Sequence, residues 1–379
     1  MHCSYHAADR CRSCAWIDQP YDRQLAAKEA HCRALLAAWP GVEWLEPVQS
    51  AGAGFRNKAK MVVGGTVAEP TLGILDAEGL GVDLRHCPLY PAALQAALPV
   101  VAEYIARARI PPYEIKARRG ELKFVIATVA EDSGELMLRF VLRSTEAIAR
   151  MRKALPWLQA ALPAARVVSA NLQPVPMAVL EGEREIVLGT DDSLTMRVNG
   201  LPLHLKPRSF FQTNTRVAEA LYAQARAWVE QRAPDALWDL YCGVGGFALH
   251  CAAPGRAVTG VEASVEAVAS AERSRDEIGL PAAGPGAVRF VAGDALAFAR
   301  DAGAWPPLVV VNPPRRGLGA DLAALVERAR PALVYSSCNA ESLARDLRAM
   351  PSLRPVAARV FDMFPHTAHY EVAVLAAPG

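Results

Sequence analysis

The sequence has almost no surplus charge: 41 lysines and arginines stand against 39 aspartates and glutamates, a formal +2. Total charge therefore gives no reason to expect a polyanionic partner. The sequence also lacks any apolar run near the ~18 residues of a membrane span, and Met1-His2-Cys3-Ser4 does not open an export signal. A membrane protein and a secreted one are excluded as expectations, and the reducing cytoplasm is the expected compartment. Internal repeats and low-complexity tracts are missing too, apart from a general richness in alanine. What is present is apolar: 52% hydrophobic against 21% charged over 379 residues. That composition excludes disorder and, at ~150 residues per domain, predicts two or three folded units.

The eight cysteines are unevenly spread. Cys3, Cys11 and Cys14 open the chain as C-x7-C-x2-C, while Cys32, Cys87, Cys242, Cys251 and Cys338 are scattered. In a reducing compartment the even count is no evidence of disulfides. Thiolates two residues apart in a turn can bite one metal centre, and Cys87 in His86-Cys87-Pro88 is the best fourth ligand. Three incidental thiols in an arm are the plain alternative. Spacing does not separate zinc from iron–sulfur, and His2, His6, His31 and His86 keep a mixed site open.

Along the chain, Gln24 to Trp39 reads as a helix ending at Pro40-Gly41. The middle reads mostly as β structure: strands at Lys123–Thr128 and Glu135–Leu142 flank Asp132-Ser133-Gly134, and others follow at Val167–Leu172 and Glu185–Leu188. Between them Thr145 to Leu162 reads as a helix with Ser144 as N-cap and a break at Pro156. Met196–Val198 and Leu201–Leu205 flank Asn199-Gly200, a two-residue hairpin signal. From about residue 215 helices and strands alternate, with strands at Leu237–Tyr241, Ala257–Val261, Val288–Val291, Leu308–Val311 and Leu333–Ser336. Val217–Glu230 and Ser264–Ile278 are among the helices, and strands at Val356–Phe361 and Tyr370–Leu375 close the chain. Such alternation predicts an α/β domain, a mostly parallel sheet covered on both faces.

The strand ends carry the chemistry. Asp239 to Gly246 runs from the first strand into a helix, and Gly243, Gly245 and Gly246 allow a tight turn with backbone N–H groups close to a ligand. Glu262, sixteen residues after Gly246, is placed to accept from ribose hydroxyls, and Asp294 to meet an adenine edge. A plain strand–helix turn is the bland alternative. The lack of a Gly-Lys-Ser/Thr ending argues against a phosphate grip and favours S-adenosylmethionine (SAM) over NAD. Asn312-Pro313-Pro314-Arg315 follows the fourth strand, and Cys338 ends the fifth, where open α/β sheets place their active sites. Cys338 read blandly is a buried core thiol. If the last strand is antiparallel, Glu371 at its start reaches the same sheet edge. A thiol, a carboxylate and a SAM crevice then converge, which suits uracil C5: a thiolate adds at C6 to make C5 nucleophilic, and a base removes the C5 proton. Asn-Pro-Pro turns also occur where exocyclic amino groups are methylated, but there an aromatic follows the prolines, and here Arg315 does.

With these residues in view, the chain resembles the bacterial RNA uracil-C5 methyltransferases over nearly its whole length. The resemblance rests on Cys3, Cys11, Cys14 and Cys87, on Phe55 to Lys58, Ser209 to Asn214, Asp239 to Gly246, Asn312 to Gly317, Ser336 to Asn339, and Asp362 to Glu371. It is nearest to the branch that modifies 23S ribosomal RNA at the uracil-747-class position. The resemblance implies a [4Fe-4S] cluster on the four named cysteines, Cys338 as nucleophile and Glu371 as base. It implies SAM contacts from Gln212, Tyr241, Glu262 and Asn312, with Asn312 standing where many relatives carry Asp. It implies Phe210 as an aromatic that stacks in the RNA site. It further implies a Rossmann-like, seven-stranded methyltransferase domain at 206–379, a β-rich RNA-binding domain at 91–205 and an iron–sulfur region at 1–90. Unlike many relatives, the chain starts directly at the cysteine motif, without a small OB-like domain.

Local charge is more telling than the total. Arg56, Lys58 and Lys60 form one basic run, Lys116, Arg118, Arg119 and Lys123 another, and Arg315 and Arg316 stand at the proposed site. Each read alone is a solvated face; together they predict a stripe that contacts RNA phosphates. No protein partner is implied, and a monomer is expected. The competing readings are an exocyclic-amino nucleic-acid methyltransferase and a non-enzymatic iron–sulfur RNA-binding protein.

Overall fold

The computed structural model describes residues 1–175 and 180–379. A single turn, α1 (Ser4–Ala7), precedes α2 (Tyr21–Leu35), which starts after Pro20 with Asp22 in its first turn, where negative charge suits the helix dipole. The expected helix at 24–39 is thus displaced about one turn toward the N-terminus. A two-residue strand β1 (Glu43–Trp44) follows, then a meander of β2 (Lys58–Gly65), β3 (Pro70–Leu75) and β4 (Gly81–Asp83). Helix α3 (Ala92–Arg107) comes next, in a stretch the β reading passed over; Leu94, Leu98, Val101 and Ile105 mark its buried face at helical spacing. Strands β5 (Leu122–Val129) and β6 (Leu136–Leu142) form the expected hairpin. Helix α4 (Ile148–Ala161) leads to β7 (Ala165–Leu172) and β8 (Arg184–Val187). Pro156 does not break α4: Met151, Leu155 and Leu158 are buried along one face on both sides of it. Ser144 is not its cap either: α4 begins at Ile148 with Ala147 at the cap position, and the Ser144 hydroxyl donates to Glu121 while accepting from Glu146 N–H.

The alternating half opens with β9 (Leu194–Val198) and β10 (Leu201–Leu205), then α5 (Thr215–Arg232) and β11 (Ala236–Leu240). It continues through α6 (Gly246–His250), β12 (Ala257–Glu262), α7 (Val265–Ile278), β13 (Val288–Ala292) and α8 (Ala295–Asp301). The last elements are β14 (Leu308–Val311), α9 (Ala320–Ala329), β15 (Ala332–Ser337), α10 (Ala340–Arg348), β16 (Leu353–Phe361) and β17 (Glu371–Pro378). Ser264 caps α7 as expected, accepting from Ala267 N–H.

The chain packs as two compact units. One comprises Met1–Cys14 with Ala53–Met196, the other Ala15–Gly52 with Arg197–Gly379. The expected division at residue 90 does not appear as a boundary in this packing, because β2 pairs with β5 (Lys58 opposite Thr128) and so joins the strands on either side of it. Among the described residues the first unit holds a seven-stranded sheet, ordered β4-β3-β2-β5-β6-β7-β8, with a core formed by Leu94, Leu98, Tyr104, Val125, Leu138, Phe140 and Leu158 among others.

The second unit is a sheet ordered β1-β16-β17-β15-β14-β11-β12-β13. All its pairs are parallel except those of β17, which is antiparallel to both β15 and β16. It has eight strands where seven were expected. The eighth is β1, from the 15–52 segment, added beside β16 with Glu43 opposite Ala357. The sequence order across β13-β12-β11-β14 changes direction at β11, and such switch points leave a crevice outside the strand ends. Among the described residues no helix is long and apolar enough to cross a membrane.

Candidate active site

The crevice begins at the glycine turn after β11. Gly245 has φ +84°, and a Cβ there would lie 3.0 Å from the Phe290 ring; one on Gly246 would lie 2.6 Å from the Tyr222 hydroxyl. Only glycine lets the backbone turn this closely. Asp239 is buried beneath the turn and accepts from Ala248 N–H at 2.8 Å; burial lifts its pKa to about 8. Glu262, at the end of β12, accepts from Gly243 N–H at 3.1 Å and from Ser264 N–H at 2.9 Å, so strand two is tied to the glycine turn. Asp294 ends the next strand as the N-cap of α8, accepting from Ala297 N–H at 2.9 Å while staying exposed. Burial raises the Tyr241 phenol, Asp294 adds to the rise and Arg316 opposes it, which sets Tyr241 between these two loops. Gln212 is buried just before α5, and Phe210 beside it is 68% exposed.

The thiol and the carboxylate meet at the other end of the crevice. Between β15 and β17, Ser337 lies opposite Val372 and Ser336 opposite Ala373. One further step in this antiparallel register sets Cys338 across from Glu371. Cys338 is half-buried; burial and the Glu371 charge push its thiol up, while the charge and hydrogen bond of Arg315 pull it down. Arg315 Nη2 donates to His369 Nδ1 at 3.1 Å. Burial, Arg315 and Lys28 lower the His369 pKa, so the neutral ring accepts from Arg315. Asn339 caps α10, accepting from Glu341 and Ser342 N–H, and its amide donates to the Arg315 carbonyl at 3.0 Å. The loops after β14 and β15 are thereby fastened together.

Glu371 is buried, and burial raises its pKa to about 7 against two hydrogen bonds that favour the charged form. Ser336 Oγ donates to Glu371 Oε1 at 2.5 Å and Asn312 Nδ2 donates to the same oxygen at 3.0 Å. Asn312 Nδ2 also donates to the Ser336 carbonyl at 3.1 Å. The amide expected to touch a cofactor is thus occupied with the carboxylate. Sequence reading assigned no role to Ser336, although strand alternation from Cys338 puts both on one face.

In the first unit Cys3, Cys11, Cys14 and Cys87 are all free thiols. Burial lifts the Cys14 pKa to about 11, and the charges of Cys87, Cys11 and Cys3 add to the rise, which places all four in one neighbourhood. The Tyr5 hydroxyl accepts from His86 N–H at 3.3 Å and joins the opening turn to the Cys87 loop. Among the described residues no three His, Cys, Asp or Glu side chains are arranged as a metal-ion site. Arg56 stands near this group, where its charge opposes the rise at Cys14 and Cys87. Lys60 is exposed on β2; Lys58 beside it is pushed down to about 8 by burial, Lys60 and Arg139. Arg118 and Arg119 are exposed. Lys123 departs from the expected basic run: it is buried, its ammonium donating to Gln173 and to the Val175 carbonyl.

A family model described as tRNA (Uracil-5-)-methyltransferase matches residues 307–377, the span holding Asn312, Cys338 and Glu371. The 23S rRNA (uracil(747)-C(5))-methyltransferase RlmC of Serratia proteamaculans is 50% identical over 99% of this chain and 99% of its own. The protein of the same description from Edwardsiella ictaluri is 51% identical over 99% and 98%. Among solved structures, Pyrococcus abyssi tRNA (uracil-54, C5)-methyltransferase in complex with S-adenosyl-L-homocysteine superposes with a TM-score of 0.78 at 24% identity, over 96% of this chain and 85% of that one, a likeness of fold. Half-identity along the full length of both chains decides kinship: the chain belongs to the family of the RlmC 23S rRNA uracil-C5 methyltransferases.

Proposed function

We propose that this protein methylates C5 of a uridine in 23S ribosomal RNA, at the position of uracil 747 as its relatives are described, with SAM as donor. The observation that carries the reading is the antiparallel pairing of β15 with β17, Ser337 opposite Val372, which brings Cys338 within reach of the charge of Glu371, a carboxyl that burial pushes up to about 7. SAM supplies an electrophilic methyl group when bound. Gln212, Tyr241, Gly243, Glu262, Asp294 and Asn312 line or brace the crevice that would hold it. Cys338 Sγ, as thiolate, adds to uracil C6, and the C5–C6 electrons move toward the C4 carbonyl. C5, made nucleophilic in this way, would take the methyl group of bound SAM, the sulfonium–CH3 bond breaking with its electron pair left on the sulfur of S-adenosyl-L-homocysteine. Glu371 takes the C5 proton, the C–H electrons restore the C5–C6 double bond, and the C6–S bond breaks to return the thiolate. Arg315 stabilises that thiolate at both ends of the cycle. The amino-methylation alternative expects an aromatic after the two prolines, where Arg315 stands, and gives no part to Cys338 and Glu371, which come together here.

The target base must leave its stack to reach Cys338, which favours a loop uridine. Phe210, an exposed aromatic, is suited to stack on RNA, with Arg56, Lys58, Lys60, Arg118, Arg119 and Arg315 as phosphate contacts. Phe210→Ala should weaken RNA binding by ~1–3 kcal/mol with SAM affinity unchanged, measured by titration of a 23S fragment. Equal RNA affinity would assign Phe210 to surface packing alone. The four thiols of the first unit would hold the [4Fe-4S] cluster: soft thiolates suit iron–sulfur, and Arg56 offsets their charge. The methyl transfer has no redox step, so the cluster would act in folding and RNA docking. A folded Cys11→Ser/Cys14→Ser protein should bind the fragment about tenfold more weakly, ~1.4 kcal/mol; unaltered binding would count against that docking role. The whole reading is tested by incubating the protein with labelled SAM and 23S RNA, then digesting the RNA for 5-methyluridine. Methyl transfer to an exocyclic amine, or none, would overturn it.

A further inference from the structure

Helix α2 turns one polar stripe onto the loop between β16 and β17. Gln24, Lys28 and His31 lie at i, i+4 and i+7, on one helix face. Lys28 Nζ donates to Asp362 Oδ1 at 2.6 Å and to the Phe364 carbonyl at 3.0 Å, and neither charged side chain reaches solvent. Gln24 Oε1 accepts from His366 N–H at 2.9 Å, while its amide donates to the carbonyls of Trp16 and Gln19. His31 Nδ1 lies 2.8 Å from the hydroxyl of Tyr370, the residue before Glu371. His366 is held at φ +64°, with its ring nitrogen 2.7 Å from the Gly52 carbonyl. The loop is therefore gripped at 362, 364, 366 and 370, immediately ahead of the base.

A buried Lys–Asp pair is poor value as stabilisation alone, since apolar residues of similar volume often serve as well or better. What the pair gives here is place. The loop it grips carries His369, which meets Arg315 beside Cys338, and delivers Glu371 to the strand end. We propose that Gln24, Lys28 and His31 of α2 are positioning residues that set the catalytic base, and so govern the proton-removal half of the reaction. The inference rests on the reading of Cys338 and Glu371 given above. None of the three residues is assigned any contact with the reacting atoms.

The test uses full-length protein, a 23S fragment and labelled SAM in single-turnover quench, following formation and decay of the protein–RNA adduct on denaturing gels. Folded Lys28→Met should form adduct at close to the wild-type rate and resolve it roughly 10- to 100-fold more slowly, the scale of an ångström-sized misplacement. If that variant fails to fold, Lys28→Met/Asp362→Leu, which removes both charges, is measured by the same criteria. A folded variant whose adduct decays at the wild-type rate overturns the inference, as does one in which formation and decay slow equally, the mark of a merely structural part. A wild-type protein that methylates uracil C5 without any adduct overturns the Cys338–Glu371 reading itself, and this inference with it.

Discussion

Cys338→Ala should lose methyl transfer to 23S RNA by at least about 10⁴-fold, the scale on which removing a nucleophile acts, while SAM binding stays unchanged. Uracil C5 gains its nucleophilicity only when a thiolate has added at C6, so the loss falls on the chemical step rather than on assembly of the complex. No other thiol in the same unit is fitted to substitute. Cys32, Cys242 and Cys251 are buried, and burial pushes each of them well above the ordinary thiol range. Cys338 is only half-buried and has Arg315 to oppose that rise. Equilibrium binding of SAM and of the RNA fragment, measured beside the single-turnover rate, separates the two effects. Full activity in Cys338→Ala would sink the addition mechanism and return the Asn312-Pro313-Pro314 turn to consideration.

The alternating half was legible because its signals are local. Ser264 caps α7 and Asn199-Gly200 turns a hairpin on rules that span two to four residues. The site's outline was legible for a related reason: the chemistry-bearing residues all fall at strand ends, and one antiparallel strand brings Glu371 back to Cys338. What stayed hidden depends on partners distant in sequence. Sequence alone gives Gln24 and Lys28 no role and leaves His31 as a possible metal ligand; only their partners, more than 330 residues later, reveal two buried polar side chains and a third bonded to Tyr370. For the same reason β1 could not be foreseen as an eighth strand, nor residues 15–52 as part of the methyltransferase unit. The β reading of the middle missed α3 because Pro91 and Pro99 masked an alanine-rich helical pattern. The hydrogen bond from the Asn312 amide to Glu371 is likewise a geometry no spacing rule contains.

Glu371→Gln should trap the protein on its RNA. Cys338 can still add and C5 can still be methylated, but an amide cannot accept the C5 proton, so the C6–S bond has no route to break. The adduct should accumulate on denaturing gels and decay roughly 10²- to 10⁴-fold more slowly, the usual worth of a general base. The wild-type decay rate should rise with pH and level off above about 7, as the Glu371 carboxyl ionises; the variant should lose that dependence. Stability should move the opposite way. The folded pKa of Glu371 lies above its ordinary value, so its contribution to stability is fully present below pH ~4.5 and is lost as pH rises through 7. The neutral glutamine escapes that loss. At pH 8 the variant should therefore be more stable than wild type by up to about 3 kcal/mol and unfold at higher temperature, with the difference shrinking toward pH 5. Gain of stability together with loss of adduct decay is what a carboxylate held in an unfavourable site for catalysis requires. A variant less stable than wild type at pH 8 would mean that the hydrogen bonds from Ser336 and Asn312, rather than burial, decide the state of Glu371.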